Sequence, residues 1–260
     1  MNRTAIGSVP SVHVTNDPLA LPLPARGRVY TGQRRVRVGD TSPGGRLRLD
    51  ALARYLQDVS NDDTRAAGLG DDGWVVRRTA VEIRRVPVLG EELELHTFCS
   101  GTGGRWAERR VRVDGDRGGA VDAVSLWVHV DLRSGRPIPL SERFFELYGE
   151  AAAGRTVRAR LLHPDPPADA DATRTWPLRA TDFDVMAHMN NAAYWMVVEE
   201  ELVRRRDLRA PLRAELEFRA AIEPGDDVRL VSTDGGADLR LWLVRQLRGV
   251  SASVHVWRLE

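Results

Sequence analysis

The chain has 260 residues, of which 42% are hydrophobic and 29% charged, and its formal net charge is +1. This is the composition of an ordinary globular protein, long enough for one large domain or for two that each bury a core. All 38 basic residues are arginines. They alternate with acidic residues instead of forming a basic stripe, which argues against a nucleic-acid-binding protein. No run of 18 apolar residues occurs, so no membrane-spanning segment is predicted.

In chain order, the sequence predicts a lead-in, a module, a linker and a second module. Residues 1–25 lack the unbroken apolar core of a secretory signal and are predicted to be a flexible, Pro-rich lead-in. Residues 26–148 begin with strand-like alternation, continue with an amphipathic helix and end in strands of period two. Residues 149–174 are rich in Pro, Ala and Asp, as interdomain linkers are. Residues 175–260 repeat the order of the first module.

The two modules are copies of one unit. Residues 36–59 align without a gap with residues 178–201, and residues 81–95 align in the same way with residues 216–230. The period is too long for a solenoid of small repeats. We therefore expect two tandem α+β units, each a long helix wrapped by an antiparallel sheet.

Polar residues are concentrated directly before the helix of the second copy. Within ten positions stand Asp182, Asp184, His188, Asn190 and Asn191. One interpretation is a polar turn that ends in a helix cap, since Asn is a preferred N-cap residue. The other is a catalytic centre, because a helix N-terminus offers unpaired backbone N–H groups and the positive end of a dipole.

The first copy helps to separate these two interpretations. Asp182 aligns with Asp40, so the carboxylate that both copies keep is predicted to be structural. The pairs that differ are Asp184 with Ser42, His188 with Arg46, Asn190 with Arg48, and Asn191 with Leu49. Residues that only the second copy has are more plausibly catalytic than structural. One active site per chain is therefore predicted.

The segment "DFDVMAHMNNAAYW", which begins at Asp182, resembles the D-x-D-V-x-x-H-x-N-N segment of the fatty acyl-acyl carrier protein thioesterases. Residues 74–101 resemble the N-terminal module of that family, and "LEFRAAIEPGDDV" its strand after the second helix. The likeness runs from about Val29 to the C-terminus. It implies two tandem hotdog domains, with a non-catalytic N-terminal copy and a catalytic C-terminal copy.

The resemblance also implies the chemistry, which is hydrolysis of acyl-acyl carrier protein (acyl-ACP) thioesters to free fatty acid without a metal or other cofactor. Asp184 would be the general base or nucleophile, and His188 would position or deprotonate water, or orient the carbonyl. Asn190 or Asn191 would donate to the substrate or cap the helix. Trp195 on the same helix would line an acyl tunnel.

The chain departs from the plant members of that family at three positions. Met186 stands where they have Asn, and Ala221 and Ile222 stand where they have Glu-Cys. A third catalytic partner therefore cannot be carried over. Glu199 and Glu217 are candidates, although a solvated helix or strand face explains each of them as well.

Several alternatives remain at this stage. The carrier could be coenzyme A or a polyketide-type carrier instead of acyl carrier protein. A non-catalytic acyl-binding hotdog protein fits the departures from the family. A hotdog dehydratase fits less well, because its catalytic His lies in a Gly- and Pro-rich loop that the residues around His188 do not form. Cys99 is the only cysteine, which favours a reducing, cytoplasmic location. Both a monomer and a homodimer are compatible with a tandem chain.

Overall fold

The computed structural model describes residue 19 and residues 21–70, 73–168, 170, 172–234 and 236–260. The predicted flexible lead-in therefore lies mostly outside the described residues. Leu19 is described and is buried, and its backbone N–H donates to Glu82 at 3.1 Å. It packs on the sheet against Ala80 and Val124.

The described residues form ten strands and three α-helices. The strands are β1 Val29–Arg35, β2 Gly73–Arg85, β3 Glu92–Thr102, β4 Trp106–Gly115, β5 Ala120–Val130, β6 Ala172–Trp176, β7 Leu212–Phe218, β8 Val228–Asp234, β9 Asp238–Arg245 and β10 Gly249–Arg258. The helices are α1 Leu49–Ala66, α2 Glu142–Ala152 and α3 Asn191–Arg204. Short 3₁₀ turns at Val38–Asp40 and Ala180–Asp182 precede α1 and α3.

All ten strands belong to one sheet, in the order β1-β3-β4-β5-β2-β7-β10-β9-β8-β6. The five strands of the first module lie on one side and the five of the second module on the other. Every pairing is antiparallel, and β2 and β7 join the modules from Arg78 opposite Glu217 to Ile83 opposite Leu212. The chain thus builds internally a continuous sheet from its two copies, and the predicted α+β class with tandem hotdog modules is confirmed.

Helices α1 and α3 pack against each other within the largest hydrophobic core. On α1, the buried residues Leu49, Leu52, Leu56 and Val59 recur at helical spacing. On α3 the buried surface is wider and includes Tyr194, Trp195, Val197, Val198 and Leu202. Burying one such apolar side chain contributes about 2 kcal/mol before entropy is subtracted. The two helices are therefore fixed relative to each other.

Hydrogen bonds confirm the register of the internal repeat. The Leu47 N–H donates to the Pro87 carbonyl at 2.8 Å, and the Met189 N–H donates to the Ile222 carbonyl at 2.8 Å. The aligned glycines also agree, since Gly90 has φ 77° and Gly225 has φ 90°. The aligned segments therefore make the same backbone contacts in the two copies.

The segment between the modules is more structured than its composition indicates. Helix α2 continues past residue 148, the predicted end of the first module, into the linker predicted at residues 149–174. Strand β6 begins at Ala172, before that linker was predicted to end. Between them, the backbone N–H groups of Leu162 and His163 both donate to the Glu217 carboxylate, at 2.5 and 3.0 Å. Glu217 is fully buried and binds the crossing chain to the sheet. This role accounts for its carboxylate without catalysis.

Candidate active site

The turn before α3 is held by the carboxylate that both copies share. Asp182 is 2% exposed, and its Oδ2 accepts the Arg179 N–H at 2.8 Å. In the first copy, Asp40 Oδ2 accepts the Arg37 N–H at 3.1 Å in the same position of the turn. The structural role predicted for Asp182 is confirmed.

Asp184 begins a tight loop that returns at His188. Its backbone N–H donates to the His188 carbonyl at 2.9 Å, and its Oδ1 accepts the Met186 N–H at 2.9 Å. Ala187 closes the loop at φ 55°, a left-handed conformation that is unusual for a residue with a side chain. Oδ2 of Asp184 receives no hydrogen bond from any residue that the structure describes. It is therefore the oxygen available to accept a proton.

Asn190 and Asn191 have separate positions at the start of α3. Asn190 is the N-cap, and its Oδ1 accepts the Ala192 N–H at 2.9 Å. Asn191 is the first helical residue, and its backbone N–H donates to no acceptor within the described part of the chain. One free N–H at the positive end of the helix dipole is thus left next to the Asp184 loop.

Asp184 and Asn191 line a cavity of about 250 Å³ that residues of both modules enclose. Its other walls come from α1, from the loop after α1, from strands β2 to β5, and from α2. These residues are Gln57, Ser60, Asn61, Thr64, Leu69, Gly70, Trp74, Cys99, Ala107, Glu108, Arg109, Trp127, Phe144 and Tyr148. The second copy therefore supplies the loop and the helix start, and the first copy supplies most of the wall.

A second, smaller cavity of about 30 Å³ adjoins the first and shares five of its lining residues. The shared residues are Gln57, Ser60, Arg109, Trp127 and Asn191. Trp195 lines this cavity together with Phe218 and Leu56. The tryptophan expected to line an acyl tunnel thus lines a cavity that Asn191, one turn earlier on the same helix, also lines.

His188 is placed differently from Asp184. Its side chain is exposed, lines neither cavity and makes no hydrogen bond with a described residue. Met186 is 56% exposed on the same loop, whereas Ile222 is fully buried and binds the loop through its carbonyl. The structure brings Asp184 and Asn191 together at the cavity and leaves His188 outside it.

Two other groups deserve comparison with Asp184 as reactive candidates. Cys99 lines the cavity, but burial raises the pKa of its thiol, which keeps it protonated and a poor nucleophile. Glu199 on α3 is 8% exposed and contacts the start of α1, not the Asp184 loop. Neither group competes with Asp184 for the chemical role.

A buried ionic cluster supports the far wall of the cavity. Asp63 is fully buried and accepts from Arg109 Nη1, from Arg28 Nε at 2.6 Å and from the Tyr148 hydroxyl at 2.9 Å. Burial is the largest single influence and lowers the pKa of Arg109, but Asp63 and Tyr148 together raise it by more, so the net shift is upward and the guanidinium stays charged. Such a cluster fixes α1, β4 and α2 relative to one another.

These wall residues were not predicted from the sequence. Helix α2 was hidden by the Ala-rich composition of the linker, although Ser141 caps it and Phe144, Tyr148 and Ala151 recur at helical spacing. Arg109 stands at an inward position of β4, between the buried Ala107 and Val111. A charged residue at an inward position of a strand was the sequence signal that could have pointed to this buried cluster.

No group of three or more His, Cys, Asp and Glu side chains that could hold a metal ion occurs among the described residues. None of the described helices is both long enough and apolar enough to cross a bilayer.

Comparison with known proteins places both modules. Residues 27–148 match the family model of the acyl-ACP thioesterase N-terminal domain, and residues 166–253 match that of the C-terminal domain. An uncharacterised protein of Mycobacterium tuberculosis is 31% identical over 209 residues, which are 80% of this chain and 83% of that protein. A chloroplastic acyl-(acyl-carrier-protein) hydrolase of Cuphea viscosissima is 24% identical over 74% of this chain and 56% of its own length.

A solved structure shows the same fold. The 12:0-ACP thioesterase of Umbellularia californica superposes with a TM-score of 0.73 at 21% identity, over 90% of this chain and 99% of that one. The two family models together span more than half of the chain, in the order in which the two modules occur. The chain therefore belongs to the acyl-ACP thioesterase family, and it is a thioester hydrolase.

Proposed function

We propose that this protein hydrolyses fatty acyl-ACP thioesters to free fatty acid and carrier protein, with Asp184 as the catalytic base. The observation that carries the proposal is that Asp184 and the first residue of α3 line one cavity built by both modules. The family supports acyl carrier protein as the carrier, and the Cuphea relative carries that substrate in its name. The cytoplasm remains the proposed location, and monomer and homodimer both remain compatible with the tandem sheet.

The proposed reaction uses one water molecule and no cofactor. Asp184 Oδ2 takes a proton from water as the water oxygen bonds to the thioester carbon. The carbonyl oxygen becomes an oxyanion, which the free Asn191 N–H and the α3 dipole stabilise. When this intermediate collapses, the carbon–sulfur bond breaks and the leaving sulfur takes a proton from Asp184. The products are a carboxylic acid and a thiol, and Asp184 is again a carboxylate.

His188 is proposed as a second site residue that acts from the Asp184 loop and not from inside the cavity. Its exposed imidazole stands next to the loop that holds Asp184. From there it can position the carrier's thioester arm as the substrate enters. The loss of this side chain is therefore expected to raise KM more than it lowers kcat.

The test is hydrolysis of a matched panel of acyl-ACP and acyl-CoA thioesters by the wild-type protein and by His188→Ala. We expect acid release from acyl-ACP with a higher kcat/KM than from acyl-CoA, and about a threefold to tenfold rise in KM for the variant. Preferred hydrolysis of acyl-CoA would replace the proposed carrier. Release of no acid from either carrier would contradict the proposed function.

A further inference from the structure

Gln57 and Glu199 occupy equivalent positions in the two copies. Leu49 begins α1 and Asn191 begins α3, and each of the two residues stands eight positions further along its helix. The gap-free alignment of residues 36–59 with residues 178–201 pairs them directly. The contacts of Glu199 therefore show what a side chain at this position can reach in the fold.

Glu199 reaches from α3 to the N-terminus of α1. Its Oε2 accepts the backbone N–H of Leu49 at 3.1 Å, and its carboxylate forms an ion pair with Arg46. Arg46 is the counterpart of His188, and Leu49 is the counterpart of Asn191. At the start of α1, the Leu49 N–H therefore already has an acceptor, the Glu199 carboxylate of the other module.

Gln57 extends in the opposite direction, from α1 of the first copy toward the second copy. It lines both cavities together with Asn191, so its side chain and the N-terminus of α3 face the same space. Its amide makes no hydrogen bond with any residue in the described part of the chain, and neither does the Asn191 N–H. The start of α1 is closed by an ion pair, whereas the start of α3 faces a cavity of about 250 Å³.

We propose that Gln57 is a catalytic residue supplied by the non-catalytic module, and that its amide donates to the thioester carbonyl oxygen beside the Asn191 N–H. A neutral amide suits this position, because a carboxylate would accept the Asn191 N–H itself and repel the oxyanion. Two converging donors form an oxyanion hole, in which the loss of one donor typically lowers kcat by about 10² to 10³. This inference rests on the proposed thioesterase function and supplies the third polar partner that Met186, Ala221 and Ile222 do not provide.

The first test compares Gln57→Leu with wild type on an acyl-ACP that the wild-type protein hydrolyses. We expect kcat to fall about 100-fold while KM changes less than about threefold, because the amide acts mainly on the developing oxyanion. The Tm should not fall, since the amide binds no described residue. Gln33→Leu is the matched control, because Gln33 is exposed on β1 and lines neither cavity. It should retain the wild-type kcat.

The second test is Gln57→Glu, which brings a carboxylate to the start of α3, as Glu199 brings one to the start of α1. We expect a loss of kcat at least as large as in Gln57→Leu at neutral pH. As the pH falls and the introduced carboxyl takes up a proton, it regains a donor, so the ratio of variant to wild-type kcat should rise. The titratable groups that face the site are the same in both proteins and are Asp184, Glu108, Arg109, Tyr148 and Cys99. The ratio therefore isolates the introduced group.

The outcomes separate this inference from the proposed function. If wild type hydrolyses acyl-ACP and both Gln57 variants keep kcat within about threefold of it, Gln57 has no catalytic role. If the variants lose activity only in proportion to a lowered Tm, its role is structural and the proposal fails. If wild type releases no acid from any thioester, the failure belongs to the proposed function.

Discussion

The turns before α1 and α3 share a backbone and differ in their side chains. In both, the carbonyl of the conserved Asp accepts the N–H of the residue before the helix, from Arg48 to Asp40 at 2.9 Å and from Asn190 to Asp182 at 2.8 Å. Ser42 N–H also donates to the Arg46 carbonyl at 2.9 Å, as Asp184 N–H does to His188. The two copies therefore share the hydrogen bonds of the turn and differ in the side chains that the turn carries.

The two helix starts also differ in what occupies them. The first is closed by Arg46 and Glu199, which are 29% and 10% exposed at their side chains. The second opens into the cavity, with Asp184 and Asn191 on one side and Gln57 on the other. The N–H at the start of α1 is thus bonded to a carboxylate, whereas the N–H at the start of α3 has no acceptor among the described residues.

The largest effect on stability is expected from removing the carboxylate that closes the start of α1. Glu199→Ala removes the acceptor of the Leu49 N–H and the partner of Arg46, which should lower the free energy of unfolding by about 2 kcal/mol. Chemical denaturation measures this difference. Gln57→Leu is the matched substitution at the open site and should cost less than about 0.5 kcal/mol. Equal losses would mean that the two helix starts do not differ in this way.

A smaller effect is expected from the carboxylates that the copies share. Asp40→Ala and Asp182→Ala each remove a side-chain acceptor for a backbone N–H in the turn, at a cost of about 1 to 2 kcal/mol. Asp40 also accepts from the Tyr55 hydroxyl at 2.6 Å, so its loss should be the larger of the two. Thermal unfolding of both variants checks the order. A loss of activity in Asp182→Ala without loss of stability would contradict its structural role.

The smallest effect concerns the left-handed residue of each turn. Gly45 has φ 77° and no neighbouring atom within 4 Å of an added Cβ, so Gly45→Ala should cost about 1 kcal/mol through backbone strain alone. Ala187 already carries this strain at φ 55°. Ala187→Gly should raise the free energy of unfolding by less than about 1 kcal/mol, because the added chain entropy of glycine offsets part of the relief. Opposite signs in the two variants are the expected result.

Much of this architecture could be predicted from the sequence, because its signals are local and repeated. Asp40 and Asp182 mark the same turn, and Gly90 and Gly225 mark the same left-handed residue, so the alignment alone fixed the correspondence of the copies. Asn190 could be recognised as a possible cap for the same reason. These features depend on neighbours within a few positions.

The cavity could not be predicted, because it depends on contacts between distant segments. Gln57 lies in α1, Arg109 in β4 and Tyr148 in α2, and only the packed sheet and helices bring them to one wall. His188 illustrates the converse, since its place in a motif predicts a reactive group while its side chain lies outside the cavity. A sequence motif shows which residues are close in the chain, but it does not show which side chains face the same cavity.

The measurement that tests the account most directly is the kcat of Asp184→Asn on acyl-ACP, beside Ser42→Ala in the first copy. The asparagine oxygen can still accept the Met186 N–H, so the loop should persist while the base is lost. We predict a fall in kcat of about 10² to 10⁴ for Asp184→Asn, and a wild-type kcat for Ser42→Ala. Full activity in folded Asp184→Asn would contradict the claim that the second copy carries the catalytic base.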